Sequence, residues 1–200
     1  MPQVPCVKVL RNALLVAFLG LMPGCSPKTP LDRAGITLSP EKSWHAQSRT
    51  TWMVPGTPLA AWSGPDGSSL VVYRTLWVPA GSAEMLAEAL ANRLGNLPGA
   101  KLLVNRSETV AGRAVARLEL VAPGTGDALA ASGLGTPIEL PGKPLLTTRQ
   151  LTLVFPRSTD TIYLTWHMPE KSHDRIEPQI RTTLQSLSFE PSRDSATGKQ

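Results

Sequence analysis

Three turn sequences, each set between two runs of strand-forming residues, constrain the fold of this chain more than any other feature. Gly64-Pro65-Asp66-Gly67 separates residues 59–62 from 70–78, Ala111-Gly112 separates 101–110 from 113–121, and Pro156-Arg157-Ser158-Thr159-Asp160 separates 151–155 from 161–168. Glycine supplies positive φ, proline presets φ, and aspartate bonds its own backbone, so each segment reverses the chain and lays its flanks antiparallel. Parallel neighbours need a crossover of a dozen or more residues, which these links are too short to provide. In the last run Ile162, Leu164, Trp166 and Met168 alternate with Tyr163, Thr165 and His167, the two-residue period of a strand.

Two helices interrupt the strands. Met85, Leu86, Ala89, Leu90, Leu94 and Leu97 recur at three- and four-residue steps behind Ser82, a capping residue, with Glu84 near the positive helix end. The second helix is expected to open at Asp174, with Glu177 at capping-box spacing, Pro178 tolerated near the first turn, and Ile176, Ile180, Leu184 and Leu187 as its buried edge. Residues 187–189 then close as a short strand. One apolar stripe per helix and one apolar face per strand predict an α+β fold, an antiparallel sheet built from hairpins with two main helices packed on it. The single domain is expected over 36–190, behind a polar, Pro-containing tether at 25–35 and ahead of a frayed tail at 191–200. Residues 123–146 are rich in Gly, Pro and Ala and form a long loop. A hydrophobic fraction of 42% suits a folded body, while 16 glycines and 19 prolines without a three-residue period exclude collagen.

The amino terminus reads as an address. Lys8 and Arg11 precede the apolar run 13–22, which is too short to span a bilayer, since that needs roughly 20 residues. Leu21-Met22-Pro23-Gly24-Cys25 resembles the bacterial lipoprotein signal, although Met22 and Pro23 are not the usual residues at their positions. The resemblance implies a signal peptide over 1–24, lipid on the Cys25 thiol and, with Ser26 next, sorting to the outer membrane facing the periplasm. The alternative is an ordinary cleaved signal with an incidental cysteine. Cys6 would leave with the signal, so the mature chain would hold no disulfide. Losing Lys8 and Arg11 lowers the net charge from +5 to +3. The bases form no run or stripe, so nucleic acid is not an expected partner. The expected partners are the membrane, through the lipid, and an envelope protein.

The order of elements resembles the PsbP-like fold shared with DcrB-type envelope proteins. Ile36-Thr37-Leu38-Ser39-Pro40 leading to Trp44, the central turn Val110-Ala111-Gly112-Arg113-Ala114, and the close Leu184-Gln185-Ser186-Leu187-Ser188-Phe189 carry the resemblance, over roughly 36–190. It implies a binding or assembly module that is mostly non-enzymatic, with Trp44 plugging the core. Fold alone does not transfer a partner.

No catalytic constellation stands out. G-x-S-x-G is missing, and Ser132-Gly133 lacks the earlier glycine. His167 and His173 flank Glu170 without the HExxH pattern, so no metal is expected; Gly124-Thr125-Gly126 lacks a small residue at Leu129, so no cofactor is expected either. The expected function is a non-catalytic binding or assembly module for a protein partner or small envelope ligand; the alternative is an envelope hydrolase or metal-dependent enzyme using the histidines. For partner contact the candidates are Tyr73 and Trp77, if their strand face is open, and a polar groove of Arg117, Glu119, Tyr163 and His167. The competing reading makes the aromatics core and the polar row a solvated sheet face.

Overall fold

Each of the three turn sequences closes a hairpin in the computed structural model, which describes residues 28–47, 56–76, 82–95, 99–123 and 147–190. The leader, Cys25, Trp52, Trp77, residues 124–146 and the tail lie outside the described residues. In chain order the elements are α1 (Pro30–Arg33), β1 (Ile36–Thr37), β2 (His45–Ala46), β3 (Thr57–Ser63), β4 (Ser69–Thr75), α2 (Ala83–Gly95), β5 (Lys101–Val110), β6 (Arg113–Pro123), β7 (Thr147–Pro156), β8 (Thr161–Pro169), α3 (His173–Gln185) and β9 (Ser188–Phe189). Short 3₁₀ turns occupy Pro65–Gly67 and Glu170–Ser172. Strands β2-β3-β4-β8-β7-β6-β5 form one sheet in that order, and β1 pairs with β9. Every pairing is antiparallel. The α+β fold expected from the sequence is the one found.

Local chemistry explains the sharpest reversal. Ala111 and Gly112 link β5 to β6 with φ of 50° and 72°, so both residues of this two-residue turn are left-handed, the arrangement that matches strand twist. Arg157 and Asp160 brace the β7–β8 turn through two hydrogen bonds of 2.5 Å, and Arg157 also donates to the Ala34 carbonyl at 2.7 Å.

The helices take opposite faces of the sheet. Ile176 and Ile180 of α3 pack with Leu70, Val72, Leu151, Leu153, Phe155, Leu164 and Trp166. Leu86, Ala87 and Ala91 of α2 pack with Val71, Ala116, Leu118 and Val154 on the other side. Central β8 is buried at every residue from 161 to 168, because both of its faces are covered. Trp44 does plug the core: it is buried, its indole donates to Gln179 Oε1 at 2.8 Å, and a Cβ at Gly64 would fall 2.9 Å from its ring.

Two boundary expectations are corrected. The tether over 25–35 runs too far, because residues 29–34 fold onto the domain. Thr29 and Asp32 make a reciprocal capping box on α1, and Leu31 and Ala34 are buried in the main core. The capping box at Asp174 does not form. The 3₁₀ turn runs straight into α3, which starts at His173 and needs no side-chain cap, while Glu177 pairs with Arg181 at 2.7 Å. Pro178 therefore sits in the second turn of α3 rather than the first.

Candidate functional site

Arg117 and Glu119 alternate along β6 with Leu118, so they point to the α3 face while Leu118 joins the α2 side. Cross-strand register brings β5 and β7 residues beside them. Arg117 stands opposite Arg106 on β5, and Glu119 opposite Leu151 on β7 with Arg149 two residues along. The result is a row of alternating charge from the sheet edge to the start of α3. Arg106 meets Glu108 at 3.1 Å, Glu108 meets Arg117 at 3.5 Å, and Arg117 meets Glu119 at 3.4 Å. Arg149 donates to Glu119 at 2.5 Å and reaches Glu170 at 3.4 Å. His173 Nε2 lies 3.4 Å from Glu119. The row grades from exposed to buried: the Arg106 side chain is 61% exposed, Arg117 20% and Glu119 4%.

Chemically, this row suits recognition. Two guanidinium groups meet the Glu119 carboxylate, Arg117 on one oxygen and Arg149 on the other, as charge-assisted hydrogen bonds. The outer part, Arg106, Glu108 and Arg117, offers charge of both signs to a partner.

Of the other expected site residues, Tyr73, Tyr163 and His167 lie on the opposite face, and Trp77 lies outside the described residues. Tyr73 and Tyr163 are direct cross-strand partners on β4 and β8, stacked with ring centroids 4.7 Å apart and planes 3° from parallel. Both are buried, so neither is a surface contact. His167 is also buried on this α2 face, in a cross-strand row that runs His45, Ser63, Ser69, His167, Gln150. The neighbouring row links Gln150 to Thr152 at 3.0 Å and Thr152 to Thr165 at 3.3 Å. Burial holds the His167 imidazole down to about 4, and its Nδ1 has no hydrogen-bond partner. The groove expected from Arg117, Glu119, Tyr163 and His167 is therefore corrected: the sheet itself separates the first two from the last two, because their strand positions have opposite parity.

The histidines do not converge. His45 is exposed on edge strand β2, His167 is buried, and His173 lies across the sheet beside Glu119 and Asp174. Among the described residues no group of three or more His, Cys, Asp or Glu is placed to hold a metal ion, and the His167 row holds no carboxylate. Sequence reasoning missed Arg106, Glu108, Arg149, Glu170 and His173 as members of the charged row; the β6–β7 register brings Arg149 to Glu119, while Glu170 and His173 reach the row from the segment after β8.

In fold the chain resembles LpqN. That protein of Mycobacterium tuberculosis, described as involved in cell envelope biogenesis, aligns with a TM-score of 0.52 at 15% identity over 78% of this chain and 83% of its own. The cyanobacterial PsbP of Synechocystis aligns at 0.48 with 14% identity, over 86% of this chain and 99% of its own. A Pseudomonas aeruginosa protein of unknown function, PA94, aligns at 0.45 with 19% identity, over 86% and 90%. No family model and no curated protein matches the chain. The likeness to LpqN establishes a shared fold and leaves function to the residues. No helix among the described residues is long and apolar enough to cross a membrane.

Proposed function

We propose that the protein is a lipid-anchored envelope lipoprotein whose domain is a non-catalytic binding module for an envelope protein. One observation carries this reading: Cys25 follows an apolar run and a small residue, and the folded domain begins only four residues later at the Thr29 cap. Acylation of the thiol and the new amino group would hold the domain against a membrane, since stable anchoring takes more than one chain. The LpqN fold, in a protein tied to envelope biogenesis, supports the same compartment. The partner surface is the outer part of the charged row, Arg106, Glu108 and Arg117, in place of the buried Tyr73, Tyr163 and His167. Trp77 is retained as a second contact.

Mass spectrometry of the mature amino terminus tests the anchor. The expected result is an acylated Cys25 at position one, lost in Cys25→Ser; a free thiol or a cut elsewhere rejects it. Cross-linking in membranes tests the surface, where Arg117→Glu is expected to abolish capture of a defined partner that Arg33→Glu leaves intact. Arg33 belongs to α1 and donates to the Lys28 carbonyl rather than to a member of the row.

A further inference from the structure

We propose that the outer edge of β5 is a self-association surface, on which two copies of the chain pair residues 104–110 antiparallel about a two-fold axis at Ser107. The inference shares Arg106 and Glu108 with the partner surface proposed above, and its test reads a covalent dimer of this chain rather than capture of a second protein. Among the described residues, strand β5 ends the sheet and pairs on one side only, with β6. It is ten residues long, against two for β2 at the other edge. Long edges template further strands, and proteins usually blunt them with proline, bulges or unmatched charge. Here residues 104–110 hold no proline, and the single register shift, between Leu102 and Val104, lies at their start. Arg106 and Glu108 are the charges that would repel like neighbours, and what stands opposite them decides the matter.

Strand parity puts Val104, Arg106, Glu108 and Val110 on the α3 face and Asn105, Ser107 and Thr109 on the α2 face. If Ser107 stands opposite Ser107 of the second copy, every pair matches. Arg106 faces Glu108 of the second copy, Val104 faces Val110, and Asn105 faces Thr109. Shifting the axis by one residue opposes Arg106 to Arg106 or Glu108 to Glu108, which disfavours pairing. The segment is thus complementary to itself in one register, as an isologous two-fold contact requires. Joining two edges also satisfies backbone groups that water otherwise covers, the mode by which strands are added to sheets.

Cysteine cross-linking of the full chain in membranes tests the register. Directly opposed residues have Cα atoms about 4.5–5.5 Å apart, within disulfide reach. Ser107→Cys is expected to give a disulfide dimer on mild oxidation and Asn105→Cys to give only the background of the parent chain. On the Ser107→Cys background, Arg106→Glu or Glu108→Arg alone should abolish the dimer. Co-expression of those two variants should restore it, because each altered charge then meets its opposite across the two-fold. Circular dichroism of each variant verifies folding. No cross-link at Ser107, an equal one at Asn105, or failure of the mixed pair to recover would each overturn the proposal.

Discussion

The two faces of the sheet each bury an ionisable side chain, and they do so by opposite means. On the α3 face Glu119 is 3% exposed and ringed by Arg117, Arg149 and His173. On the α2 face His167 is 7% exposed, its Nδ1 is unpaired, and the ring is held neutral by desolvation. A buried charge persists where opposite charges stand against it, whereas a buried base without such partners gives up its proton. Removing the buried group should therefore hurt on one face, and adding a proton should hurt on the other.

The largest effect is expected on the paired face. Glu119→Ala leaves Arg117 and Arg149 facing each other without their shared acceptor, a loss of about 4 kcal/mol for a broken buried ion pair. Urea unfolding measures it, and a loss below about 1 kcal/mol would show that solvent already screens the row. Replacing Arg149 as well, in Glu119→Leu with Arg149→Leu, should recover much of that loss, because the uncompensated charge goes with it.

On the unpaired face the lever is pH. The unfolded chain takes up the imidazole proton near its ordinary 6.5, whereas the fold resists until about 4. Between those values the unfolded state holds more protons, so stability is full above pH 6.5 and falls as pH drops toward 4. The total loss is about 3 kcal/mol. His167→Gln should flatten the unfolding free energy across this window. Persistence of the slope in that variant would assign it to another group.

How far this contrast was legible depends on sequence distance. The hairpins were readable because glycine, proline and aspartate act on their immediate neighbours, and the β5–β6 strand limits follow directly from Ala111-Gly112. Trp44 and Trp166 were readable as core, the first from family resemblance and the second from strand alternation. The α1 cap was also written plainly as Thr29-Pro30-Leu31-Asp32, yet proline and polar composition pointed to a spacer. The charged row was different. Arg149 reaches Glu119 only because β7 pairs with β6 across the long segment after Pro123, and no local turn chemistry encodes that register. The supposed groove failed for the same reason: alternation assigns a face within one strand, while the relative face of two distant strands needs their pairing.

A milder test sharpens the comparison on the α2 face. Thr165→Val removes a hydroxyl 3.3 Å from Thr152, whose oxygen still accepts from Gln150. The expected loss is about 1 kcal/mol, the ordinary net value of one hydrogen bond. A loss above about 3 kcal/mol would make the threonine pair as critical as the ion row, erasing the difference between the faces.

The smallest effect belongs to the outer end of the ion row itself. Arg106 carries the same kind of contact as Arg149, a guanidinium on a glutamate, but its side chain is 61% exposed against 17%. Water screens it, and holding two long side chains together costs entropy, so Arg106→Ala should change monomer stability by about 0.5 kcal/mol or less. Dilute protein isolates that term. Any additional loss that grows with concentration belongs to the β5 edge, because association stabilises by mass action. One substitution thus separates the two roles of Arg106, and a large loss independent of concentration would mean that exposure does not grade the row.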